Sequence, residues 1–195
     1  MFKLNSHEKI ILTKFQKMKT LTNSLLFIMI LLGCNPATTS NDSKTDTYDQ
    51  KEKVINDTIP KVTGIGGIFF RSTNPKEISE WYGANLGMAI DDYGSPFEFR
   101  NANRPGEINY LRWSPHEEGT DYFNPSEKEV MINYRVQNIE GLVKKLKENG
   151  VTILDEIEEF EYGKFVHIMD PEGNKIELWE PVDSFFTEMG GETTK

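Results

Sequence analysis

Two stretches of this chain repeat each other. Ile68-Phe69-Phe70-Arg71-Ser72-Thr73-Asn74 aligns with Ile132-Asn133-Tyr134-Arg135-Val136-Gln137-Asn138 at an offset of 64 residues. Identical Ile, Arg and Asn surround an aromatic pair, Phe70 and Tyr134. Each stretch reads as a strand running into a helix. The first helix is expected to start at Asn74 as N-cap, with Pro75 at its first position and Glu77 closing a capping box. Ile78, Trp81, Tyr82 and Leu86 follow at helical spacing, and Gly87 ends it. The second helix is expected to start at Asn138, bury Ile139, Leu142, Val143 and Leu146, and end at Gly150. Short strands should follow each helix: Met88–Asp91, Phe97–Arg100 and Glu107–Trp113, then Thr152–Ile157, Lys164–Met169 and Lys175–Glu180. The pattern is βαβββ twice. Neither module can bury a sheet face alone, so the two must pack side by side around a shared concavity. The expected fold is α+β: an eight-stranded, mixed, incompletely closed barrel with helices on the outside, modules at 61–114 and 128–182.

The N-terminal third has a different character. Lys17-Met18-Lys19 precede an apolar run, Leu25 to Leu32, that ends in Gly33 and Cys34, the only cysteine. Eight helical residues span about 12 Å, too short for a hydrocarbon core of ~30 Å. A basic flank, a short apolar run and a small residue make a secretory signal. Leu31-Leu32-Gly33-Cys34 resembles a bacterial lipobox, which implies a signal peptide over 1–33, a true start at Met18, and acylation of Cys34. Residues 34–60, rich in Thr, Ser, Asn, Asp and Lys, then form a linker with little to bury. The expected address is the cell envelope, lipid-anchored to the periplasmic side or to the outer membrane. A cysteine consumed in this way leaves no disulfide and no catalytic thiol.

Charge excludes one function class. The first 33 residues carry five Lys and one acid, so the remainder holds 17 basic and 30 acidic residues, a net of -13. Such a surface repels phosphate backbones, and nucleic acid is not an expected partner.

The second module closes on Asp170-Pro171-Glu172-Gly173-Asn174-Lys175-Ile176-Glu177-Leu178, a tight turn and the strand after it. Joined to the paired modules, this signature resembles the vicinal oxygen chelate superfamily, the glyoxalase, bleomycin-resistance and extradiol-dioxygenase proteins, over residues 61–182. The resemblance implies a metal held by inward side chains from the first and last strand of each module. Glu177 stands at the last of these positions. The first falls on Gly67, which has no side chain, and the third on Met131, whose thioether suits a hard divalent ion poorly. The remaining position falls near Asn109 or Glu107. Glu177 is therefore either the sole inherited ligand of a divalent metal (zinc, manganese, nickel or iron) or a carboxylate paired with a cation.

Strand parity suggests the cation. If Gly67 and Met131 point inward, so do Phe69, Arg71, Asn133 and Arg135, while Glu177 and Trp179 do so on the last strand. Two arginines then face Glu177, and they either neutralise it or anchor an anionic ligand. His167, on a strand of ambiguous facing, is a candidate general acid or base. His116 is expected in a loop over the cavity mouth, residues 113–123, and residues 183–195 form a tail. Two readings follow. One is a lyase, isomerase or transferase of a small oxygenated or anionic molecule, with Glu177 and His167 catalytic and Arg71, Arg135, Asn133, Phe69 and Trp179 binding substrate. The other is a non-catalytic module that sequesters an aromatic compound, as metal-free members do, often in a cleft between the subunits of a homodimer. A structural or adaptor role at the membrane is a third, weaker reading.

Overall fold

The structure is a computed structural model, and it describes residues 58–195. The lipobox with Cys34, the signal segment, the Met18 start and most of the linker lie outside the described residues. Among those described, no helix is long and apolar enough to cross a membrane.

Strand β1 (Lys61–Ser72) leads into helix α1 (Pro75–Leu86), followed by β2 (Ser95–Arg100) and β3 (Ile108–Glu117). Then come β4 (Val130–Gln137), helix α2 (Ile139–Glu148), β5 (Thr152–Ile153), β6 (Glu158–Phe160), β7 (Gly163–Met169), β8 (Lys175–Pro181) and helix α3 (Asp183–Met189). The eight strands form one mixed sheet in the order β2-β3-β1-β4-β8-β7-β5, with β6 on β7, and the sheet does not close. β1 runs parallel to β3, β4 runs parallel to β8, and β1 and β4 join antiparallel at the centre.

Both helix starts follow from their caps. Asn74 Oδ1 accepts from the Glu77 amide at 3.2 Å while its Nδ2 donates to Glu77 Oε2 at 2.9 Å, and Gly87 ends α1 in the left-handed region at φ 69°. Asn138 caps α2 by accepting from the Gly141 amide at 3.0 Å. Ile139, Leu142 and Val143 of α2 are buried against Val136, Val166, Ile168 and Leu178, and this cluster is the core of the second half. In α1, Tyr82 rests on Trp113, whereas Trp81 and Leu86 are exposed, so helical spacing there does not mark a buried face.

Four expectations about elements are corrected. Met88–Asp91 forms no strand; only an isolated bridge joins Asp91 to Gly94. Thr152–Ile157 shrinks to the two residues of β5, with β6 beginning at Glu158, because Asp155 turns the chain to meet His167. Residues 113–117 lie in β3, so His116 is on a strand rather than in a loop. The expected tail contains α3, and beyond it Thr194 lies along β2, donating to Pro96 O at 2.8 Å and accepting from the Glu98 amide at 2.9 Å.

Candidate functional site

The concave face is lined by one parity of each strand. On β8 that parity is Lys175, Glu177 and Trp179, all buried. Asn133 lies beside Glu177 across the β4–β8 pair and beside Gly67 across β1–β4. His167 lies opposite Glu177 in the antiparallel β7–β8 pair, which places both side chains on one face.

Glu177 is 4% exposed, and three side-chain donors hold its two oxygens. Asn133 Nδ2 donates to Oε1, and the Tyr122 hydroxyl donates to Oε2. His167 Nε2 reaches Oε2 at 3.0 Å. The other imidazole nitrogen, Nδ1, lies 2.6 Å from Asp155 Oδ2, and Asp155 Oδ1 accepts the His167 amide at 2.7 Å. One carboxylate thus orients the ring from outside while the buried one faces it from within. Burial alone would raise the pKa of Glu177, but the hydrogen bond and charge of His167, with Tyr122 and Asn133, hold it below the ordinary value. Burial works against the charged imidazole too, and the Glu177 hydrogen bond and charge overcome it, so His167 titrates above its ordinary value. Burial and the adjoining Glu177 charge push the Tyr122 phenol well up, and it stays protonated as a donor.

The segment between β3 and β4 fills the space above this carboxylate. Phe123 is 1% exposed and packs with Phe69 and Met131, with Tyr122 against them. The Tyr122 ring stacks on His116 at 5.2 Å and meets His167 edge-on at 5.9 Å. Lys175 Nζ donates to Tyr122 O at 2.7 Å.

The expected arginine–Glu177 contact does not occur. Arg135 aligns with Trp179, two residues beyond Glu177, and its guanidinium pairs with Asp183 of α3. Arg71 donates to the carbonyls of Glu118 and Thr120 and lies 4.8 Å over the Phe123 ring. Parity fixes which face a side chain takes, not how far along the strand its partner lies. Tyr122, Asp155, Lys175 and Asp183 were not anticipated. Lys175 shares the parity of Glu177 and Trp179, so alternation was enough to find it; the others lie in turns or at a helix start, where no periodicity marks them.

The residues present do not fit a divalent metal. A β-carbon at Gly67 would meet Phe69 ring carbons at 2.7 and 2.8 Å, so an aromatic ring stands where the first ligand would. Met131 is buried among apolar rings, and both Glu177 oxygens already accept hydrogen bonds. Asn109 is buried and donates to Asp183 at 3.0 Å, and Glu107 sits in a turn paired with Arg104. Among the described residues, no group of three His, Cys, Asp or Glu side chains is arranged to hold an ion. The expectation of a metal on Glu177 is therefore not supported by its donor set.

No curated protein matches the chain. Among solved structures it is similar to methylmalonyl-CoA epimerase from Mycobacterium tuberculosis, at 18% identity and a TM-score of 0.44 over 69% of this chain and 97% of that one. It is also similar to a glyoxalase/bleomycin resistance protein/dioxygenase superfamily member from Vibrio splendidus 12B01, at 15% identity and a TM-score of 0.38 over 63% and 99%. Catechol 2,3-dioxygenase aligns at 21% identity and a TM-score of 0.42 over 65% of this chain and 42% of its own. A family model matches residues 64–178, which span β1 to β8, and on that match the chain belongs to the Glyoxalase/Bleomycin resistance protein/Dioxygenase superfamily.

Proposed function

We propose that the concave face is a metal-independent acid–base site for a small oxygenated molecule, with Glu177 as base and His167 as acid. The observation that supports this is the buried carboxylate held by His167, itself oriented by Asp155. The pair sets a proton acceptor and a proton donor 3.0 Å apart, the two roles that proton transfer to and from a substrate requires. Tyr122 occupies the position a substrate hydroxyl would take, so it must withdraw as ligand enters. Asn133 keeps Glu177 oriented, and Phe69 and Trp179 wall the face. The reaction class is proton abstraction and return, as in an isomerase or lyase. The packed rings of Phe69, His116 and Tyr122 favour a second reading, a non-catalytic module that sequesters an aromatic compound against them.

Elemental analysis and native mass spectrometry of the purified protein test the first reading. The expected result is no stoichiometric divalent metal, with any small organic adduct lost in Glu177→Gln. A stoichiometric metal that disappears in Glu177→Gln would overturn it.

We further propose that the domain is tethered in the cell envelope through acylated Cys34. Cys34→Ala should then move the protein from the membrane to the soluble fraction; retention on membranes would reject the anchor.

A further inference from the structure

The other end of the concave face carries an arrangement that the acid–base pair does not use. Arg135 is 4% exposed, and its guanidinium donates to Tyr110 O at 3.0 Å and to Asp183 Oδ2. Asn109 Nδ2 donates to the same oxygen at 3.0 Å. The Trp179 and Phe99 rings lie 5.1 and 6.0 Å from the guanidinium carbon and fix it further. This is a preorganised carboxylate cradle.

The carboxylate it holds belongs to a short helix that lies over the sheet without being buried itself. No residue of α3 is buried, no side chain caps its N-terminus, and Gly190 and Gly191 follow it at φ 68° and 114°. One helical turn on from Asp183, Phe186 places its ring 5.4 Å from Tyr110 and 5.7 Å from Trp179. The helix therefore lays a carboxylate and an aromatic ring together onto the concave face. The fit is imperfect. Asp183 Oδ1 is buried with no hydrogen-bond partner. So is Asn133 Oδ1, which borders the Arg135 side chain, since a β-carbon at Gly66 would meet both it and Arg135 Cγ. Buried acceptors without donors are rare and costly, and a ligand or a water that brings donors would complete them.

We propose that Arg135 and Asn109 bind the carboxylate of a small aryl acid, and that α3 is a displaceable lid whose Asp183 and Phe186 stand in for that ligand. The proposal rests on the concave face being a ligand site and does not require Glu177 to act as a base. A carboxylate that also carries a hydroxyl or amide N–H would satisfy Asn133 Oδ1.

Calorimetric titration with 3-phenylpropionate, and with neutral 3-phenylpropanol as control, tests it on the full chain. A lid that competes for the site lowers apparent affinity, so weakening it must raise affinity. Asp183→Asn should bind the acid at least tenfold more tightly than wild type, with the alcohol at least tenfold weaker than the acid. Phe186→Ala, which loosens the lid and leaves the Arg135 cradle unchanged, should show the same gain and serves where Asp183→Asn does not fold. Equal affinity in wild type and both variants, or equal binding of acid and alcohol, would overturn the proposal. Acid affinity should stay within twofold in Glu177→Gln. A tenfold change there would overturn the independence of the two ends, whereas the reading of Glu177 as a metal-free base is judged by the elemental and mass analysis.

Discussion

His167→Ala is expected to destabilise the domain by about 3–5 kcal/mol at mildly acidic pH, between the ordinary carboxylate and imidazole values, the usual cost of leaving one member of a buried ion pair alone. Glu177 would stay buried with Tyr122 and Asn133 as its remaining side-chain donors and without the imidazole that faces it. Its sign with pH is fixed by the two shifts. The His167 contribution, from a raised folded value, is complete below the ordinary value near 6.5 and is lost as pH rises through the folded value. The Glu177 contribution, from a lowered folded value, is complete above the ordinary carboxylate value and is lost as pH falls through the folded one. The gap in urea midpoint between wild type and His167→Ala should therefore be widest between these limits and narrow at both ends. Equal midpoints within that window would show that the pair contributes nothing.

Phe123→Ala is expected to cost about 3–5 kcal/mol, the transfer and cavity terms for a fully buried phenyl ring. Phe123 is 1% exposed among Phe69, Met131 and Tyr122, and Arg71 lies over its ring. The substitution removes the centre of the plug above Glu177 and leaves an apolar void of the kind that takes up benzene. Thermal denaturation should show a large loss, partly restored by saturating benzene. A loss under about 1 kcal/mol would mean that the segment is not packed over the carboxylate as described.

The fold was legible because its signals are local and periodic. Asn74 and Asn138 announced two helices through their caps, and alternation along β1, β4 and β8 sorted Phe69, Asn133, Arg135, Glu177 and Trp179 onto one face. The site was legible only in part. Glu177 and Asn133 stood out, and His167 stood out with its facing unresolved until register put it opposite Glu177. Tyr122 and Asp155 act from irregular segments whose course depends on tertiary contacts. Arg135 was read as the partner of Glu177 because a one-dimensional pattern cannot register the roughly 7 Å between alternate residues of a strand. Nor could it show that an uncapped seven-residue helix would bring Asp183 to that arginine.

The proposed acid–base site rests on Glu177 and His167 acting as a buried charged pair. The direct measurement is the titration of the His167 ring nitrogens by NMR, in wild type and in Glu177→Gln. Wild type is expected to titrate above the ordinary imidazole value, and the value should fall in Glu177→Gln, where Asp155 is left as the carboxylate facing the ring. A His167 that titrates at or below the ordinary value in wild type, unmoved by Glu177→Gln, would contradict it.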